Sequence, residues 1–140
     1  MPEVREMFSD TEVAATFPVM RGLRPHLDEE GYAERVRRMR GQGYRLAAVV
    51  EGEKVLCVAG FRIFEFLAHG KFLYVDDLVT DEGARSGGSG KRMLDWLADE
   101  ARNAGCEKLQ LDSGVGRHAA HKFYFREGMH ITSYHFSKEL

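Results

Sequence analysis

Charge of one sign is what this sequence conspicuously lacks: 20 lysines and arginines stand against 22 aspartates and glutamates, a formal net charge of −2. Such a balance gives no reason to expect nucleic acid or an anionic membrane as partner. Cysteine is nearly absent as well. Cys57 and Cys106 lie far apart in apolar or strand-like contexts, which excludes a disulfide framework and predicts reduced thiols. No apolar run reaches the roughly 18 residues that a spanning helix needs, and no signal peptide is visible, so a soluble cytoplasmic protein is expected. Low-complexity tracts, linkers and internal repeats are missing too. His118, His121, His130 and His135 crowd the C-terminal region. They lack Cys-x-x-Cys or His-Glu-x-x-His spacing, and His130 and His135 fall on opposite sides of a regular strand, so no metal is expected.

What is present suits one globular domain over residues 1–140, since 140 residues that are 44% hydrophobic can bury a sizeable core. A first strand at 4–8 meets Ser9, which with Glu12 fits a capping box, and Val13, Phe17 and Met20 follow at helical spacing. Pro18 is expected to kink or end that helix near Phe17. Asp28 opens a second helix whose apolar line is Tyr32, Val36 and Met39, ending at Gly41; its run of arginines, Arg35 to Arg40, reads as a wet face. Strand-like runs at 44–50 and 55–64 flank the hairpin signal Glu51-Gly52-Glu53-Lys54, and a third run spans 72–80. A helix striped with Met93, Leu94, Leu97, Ala101 and Ala104 closes at Gly105. A short strand at 108–112, a helix at 117–127 and a last strand at 129–136 complete the order β-α-α-β-β-β-α-β-α-β. That order predicts an α/β (α+β) fold with helices on both faces of a mixed, mostly antiparallel sheet.

The densest signal lies where the third run meets the striped helix. Leu78-Val79-Thr80 leads through a turn into Arg85-Ser86-Gly87-Gly88-Ser89-Gly90-Lys91 and the helix beyond. A helix entered this way aims unpaired amides and the positive end of its dipole into the loop, a seat for phosphate or pyrophosphate, and the glycines keep side chains out of it. Two familiar loops do not fit. A P-loop requires glycine where Arg85 stands and a hydroxyl after the lysine, where Arg92 stands; the third glycine of the dinucleotide fingerprint would fall on Met93. What remains, Arg85-x-x-Gly88-x-Gly90, resembles motif A of the GCN5-related N-acetyltransferases (GNAT family). A second stretch, Ala120-His121-Lys122-Phe123-Tyr124-Phe125-Arg126-Glu127-Gly128-Met129, is similar to that family's motif B. Both occur in the family's order, one helix and one strand apart.

The resemblance implies an acetyl-CoA-dependent N-acetyltransferase of a single domain, acting by direct transfer in a ternary complex, and a homodimer paired through its C-terminal strands. By the same resemblance the backbone of Leu78, Val79 and Thr80 holds the pantetheine arm, and the amides from Arg85 through Lys91 hold the pyrophosphate. Arg85 and Lys91 add charge, or Arg85 points to solvent while its amide binds. Tyr124 matches the tyrosine that protonates the departing thiolate. Asp76 matches the base that takes a proton from the incoming amine, directly or through water, and Asp77 an amine-binding group. Strand alternation sets these two carboxylates on opposite faces unless a bulge intervenes. One departure stands out: Arg117 occupies the position where relatives often carry an asparagine that contacts pantetheine, so either Arg117 replaces that contact, the helix start differs, Ser113 or His118 takes over, or the contact is absent. The expected acceptor is a small-molecule amine bound by segment 17–30, loop 66–71 and the final strands, with Arg21, Arg24 and His26 available to an anionic substituent, or Asp76, Asp77 and Glu29 to a polyamine. Three alternatives stay open: a non-catalytic acyl-CoA-binding or regulatory domain, a protein N-acetyltransferase, and a nucleotide-binding protein, for which ATP with magnesium would raise the melting temperature more than CoA does.

Overall fold

Ser9 starts the first helix as the capping box predicts: its hydroxyl accepts from the Glu12 amide at 3.1 Å, while the Glu12 carboxylate accepts from the amides of Phe8 and Ser9 at 3.0 Å each. In the computed structural model, which describes residues 1–140, this helix, α1 (Asp10–Leu23), follows strand β1 (Glu3–Glu6). Pro18 does not end it. The amide that proline lacks would have bonded toward Ala14, and both residues are exposed, so the lost bond falls on the solvent side of the helix. Meanwhile Val13, Thr16, Phe17, Val19 and Met20 bury a continuous face that runs past the proline. Helix α2 (Glu29–Arg40) is capped by Asp28, buries Tyr32 and Val36, and leaves through Gly41 in a right-handed conformation, with the left-handed residue delayed to Gly43.

Strands β2 (Arg45–Glu51), β3 (Lys54–Phe66) and β4 (Gly70–Thr80) form an antiparallel meander, longer at both hairpins than the hydrophobic runs suggest. A 3-10 turn (Glu82–Ala84), helix α3 (Ser89–Asn103) and strand β5 (Lys108–Leu111) follow, giving a sheet of order β1-β2-β3-β4-β5. The Glu107 amide donates to the Lys71 carbonyl at 2.8 Å, so β5 begins beside the start of β4 and the α3 crossover joins parallel strands. Helices cover both faces. Leu46, Ala48, Val50 and Val58 join Val13, Phe17, Met20, Tyr32 and Val36 in one cluster; on the other face Phe61 meets Trp96 of α3 edge-on at 5.8 Å, and Arg45 binds Glu100 at 2.8 Å. Burial on two sides explains why β2 reads as an unbroken apolar run rather than an alternating one.

The chain divides into two units, Met1–Gln110 and Leu111–Leu140. The second holds helix α4 (His118–Arg126). The strand expected at 129–136 is a correction: residues 129–140 carry neither helix nor strand. Ile131, Tyr134 and Phe136 are 67%, 83% and 92% exposed, so no buried face fixes a pairing register for this segment. No helix is long and apolar enough to cross a membrane.

Candidate functional site

The bulge that alternation left open is there, and it falls on the acidic pair. Gly60 stands opposite Asp77 and Phe61 opposite Val75, which leaves Asp76 as the extra residue of β4. The two carboxylates are thereby drawn into one network. Asp77 is filled at both oxygens, by Arg24 Nε at 2.9 Å and by the Tyr44 hydroxyl at 2.8 Å. Asp76 receives Arg62 on Oδ2 at 2.9 Å, while its Oδ1 is buried without a hydrogen-bond partner. Burial pushes the Asp76 carboxyl above its ordinary range; Arg62 pulls the other way and loses. The Arg62 guanidinium also lies 5.3 Å from the centre of the Tyr44 ring, and Arg24 Nη2 donates to the Asp76 carbonyl at 2.9 Å.

Sequence reasoning passes over three residues of this network. Tyr44 reaches Asp77 only because it crosses the sheet at Gly60, where an added Cβ would sit 1.8 Å from the tyrosine oxygen. Tyr44, Gly60 and Arg62 carry no local signal; the one available clue is a glycine inside an otherwise strong strand, which marks a close approach. Burial raises the Tyr44 hydroxyl well above its usual value, and the neighbouring Asp77 carboxylate reinforces that.

A cavity of about 300 Å³ opens beside this network, lined by Met20, Arg24, His26, Leu27, Tyr32, Arg35, Val36, Met39, Tyr44 and Asp77. It takes Arg24 and His26 from the segment expected to bind an acceptor, and adds Arg35 from the helix face read as wet. Arg21, Glu29 and loop 66–71 do not line it. Cys57 is buried, its thiol pushed up to about 11 by desolvation, which removes it as a nucleophile.

At the far end of β4, Leu78, Val79 and Thr80 pair with Ala59, Val58 and Cys57, and the chain then enters the glycine-rich loop. Arg85 is extended, Ser86 sits at φ 73° and Gly88 at φ 83°, and no side chain caps α3. A serine in the left-handed region carries a conformational cost that glycine would not. No side-chain hydrogen bond caps the start of α3, so its first amides have no capping side chain. The Gly87 amide donates back to the Ala84 carbonyl at 3.3 Å, and the Lys91 ammonium lies along α3 at 3.2 Å from Asp95.

In the second unit Tyr124 lies on α4 with its ring 5.5 Å from that of Phe123, and its carbonyl accepts from the Met129 amide at 3.0 Å. Arg117 is the N-cap residue of α4 and makes no side-chain capping bond. His121 Nε2 meets the Gly114 carbonyl at 2.8 Å. The histidine therefore braces the loop that leads into its own helix.

Known proteins share this sequence and architecture. The sequence profile of the acetyltransferase (GNAT) family matches residues 2–129. A Bacillus subtilis (strain 168) protein described as an uncharacterized N-acetyltransferase is 36% identical over 140 residues, 99% of each chain. The aminoalkylphosphonate N-acetyltransferase of Salmonella typhimurium (strain LT2) is 35% identical over 98 residues, 69% of this chain and 62% of that one. Among solved structures, a transcriptional regulator from Bacillus halodurans C-125 superposes with a TM-score of 0.88 over 100% of both chains at 16% identity.

Proposed function

Because the chain belongs to the GNAT family of acetyltransferases and is an N-acetyltransferase, we propose that it moves the acetyl group of acetyl-CoA onto a primary amine of a small molecule, by direct transfer in a ternary complex. The observation that carries this reading is the construction of β4: its bulge sets Asp77 on the wall of a small cavity with Asp76 next to it in the chain, and its end runs straight into the glycine-rich loop. The relative that is named for aminoalkylphosphonates lends support to a small acceptor. The family profile spans both units, which supports one catalytic domain over residues 1–140.

In this reading the backbone of Leu78, Val79 and Thr80 pairs with the pantetheine arm, and the loop of Arg85, Ser86, Gly87, Gly88, Ser89, Gly90 and Lys91 grips the diphosphate, Gly87 releasing the Ala84 carbonyl to do so. Arg117 stands in for the pantetheine contact that relatives make with asparagine. Acetyl-CoA supplies an activated acyl group whose sulfur leaves readily. Asp76 is the base: its unfilled oxygen and raised proton affinity suit it to take a proton from an arriving ammonium, directly or through one water. Asp77, held at both oxygens, fixes Arg24 and Tyr44 and offers the amine a negative wall rather than a proton acceptor. Tyr124 returns a proton to the departing sulfur. We place the protein in the cytoplasm with both cysteines reduced, and as a homodimer.

The test is thiol release from acetyl-CoA against a panel of amines. Turnover above hydrolysis is expected with at least one, and Tyr124→Phe should lower kcat by roughly a hundredfold or more, the usual worth of a positioned proton donor. Tight coenzyme binding with no turnover across the panel would replace this reading with that of a non-catalytic acyl-CoA-binding domain. Acetylation confined to peptide amines would make it a protein N-acetyltransferase.

A further inference from the structure

The charges that line the cavity do not cancel. Arg24 is spoken for, donating through Nε to the Asp77 carboxylate and through Nη2 to the Asp76 carbonyl. Asp77, the one carboxylate on the lining, is filled by Arg24 and Tyr44. Arg35 and His26 also line the cavity, and neither is held in an ion pair. Both are exposed, and Arg38 of the same helix is likewise without an ion pair but does not line the cavity. In the same basic run of α2, Arg37 binds Asp10 at 2.9 Å, and Arg40 donates to the carbonyls of Phe8 and Met7 at 2.8 Å each. Arg35 is the arginine of that helix that reaches the cavity. The rest of the wall is apolar, formed by Met20, Leu27, Val36 and Met39 with the rings of Tyr32 and Tyr44.

A ligand complementary to this surface has a positive end for the acidic wall of β4, a short hydrocarbon middle, and a negative end for Arg35 and His26. A cavity of about 300 Å³ is at the small end of ligand sites. We propose that the acceptor is a short primary amine carrying an oxyanion (phosphonate, phosphate monoester or carboxylate) and that Arg35 and His26 bind that anion as specificity residues. This rests on the cavity being the acceptor site of the acetyltransferase. A polyamine would set a second ammonium against Arg35, and a neutral alkylamine would leave that guanidinium without an anionic partner. Arg24 does not select the anion; it positions Asp77.

Rates of thiol release decide the matter with 2-aminoethylphosphonate, phosphoethanolamine and β-alanine set against propylamine and spermidine. The three anionic arms tell a phosphonate from a phosphate or carboxylate preference. At least one should exceed propylamine in kcat/KM by roughly tenfold or more, the worth of one charge-assisted hydrogen bond. Arg35→Gln should erase that advantage chiefly through KM of the amine, with KM of acetyl-CoA unaltered, and Arg35→Lys should restore part of it. Propylamine or spermidine matching the anionic amines in the unaltered protein would overturn the proposal, as would discrimination that survives Arg35→Gln. Calorimetric binding of methylphosphonate is read alongside. If no amine releases thiol and yet methylphosphonate binds in an Arg35-dependent way, acetyl transfer fails while the anion site stands; without such binding and without turnover, both fall.

Discussion

At the scale of single residues, the acidic pair shows two identical side chains made unlike by their partners. Asp77 has no oxygen to spare, whereas Asp76 keeps one oxygen buried and unpartnered. The raised carboxyl of Asp76 has a consequence for stability whose sign is fixed. A group that holds its proton more tightly when folded contributes stability below its unfolded value and loses it as the pH rises through its folded value. As the pH rises and Asp76 ionises, its charge therefore becomes a burden on the fold. Asp76→Asn, which mimics the protonated form, should melt at a higher temperature than the parent at neutral pH and at the same temperature in acid, while thiol release collapses. Arg62 keeps the Gln42 carbonyl at 3.4 Å and the Tyr44 ring, so the variant is expected to fold. The acid limb of kcat/KM in the parent should likewise lie above the ordinary carboxylate range, rising with pH. A lower melting point for Asp76→Asn at neutral pH would show Arg62 pairing to outweigh burial. The sequence exposes Asp76 and Asp77 themselves, and the role of a bulge as the deciding feature. It cannot expose Tyr44 or Arg62, because their partners lie 33 and 14 positions away and nothing local in a tyrosine or an arginine encodes a distant contact.

Elements are legible where a local physical rule decides them and illegible where packing does. The capping box at Ser9, the Asp28 cap and the turn at Gly52 follow from short-range hydrogen bonding and backbone freedom, and each stands where the residues put it. Pro18 escapes the local rule because a buried face on both sides of it holds α1 together across one missing hydrogen bond. The loop before α3 belongs to the legible class. Gly88 sits at φ 83°, and a methyl group added to it would meet nothing within 4 Å, so a side chain there has space but the wrong backbone. Gly88→Ala should cost about 1–2 kcal/mol of stability, the penalty of a left-handed non-glycine residue. Coenzyme affinity should fall by more, roughly tenfold or beyond, since the methyl group intrudes where a phosphate oxygen is to meet bare amides. Calorimetry on the folded variant separates the two effects, and unchanged coenzyme affinity would remove this loop from the binding site.

For the molecule as a whole, the expectation that misses is the last strand, and the miss bears on assembly. A strand needs a hydrogen-bonded neighbour, and the segment 129–140 has formed none of the regular ladder that its alternation suggests. It leaves Ile131, Tyr134, Phe136 and Leu140 largely in water. Apolar side chains grouped on an unladdered segment are what a second copy can satisfy, through strand addition about a two-fold axis that brings the same residues together from each side. A net charge of only −2 sets no strong repulsion against it. Light scattering at micromolar concentration should therefore report twice the chain mass, and replacing Ile131 and Phe136 together by lysine should halve it while leaving coenzyme binding at the glycine loop intact. A parent protein that scatters as a single chain under those conditions would mean that the C-terminal segment serves something other than self-association.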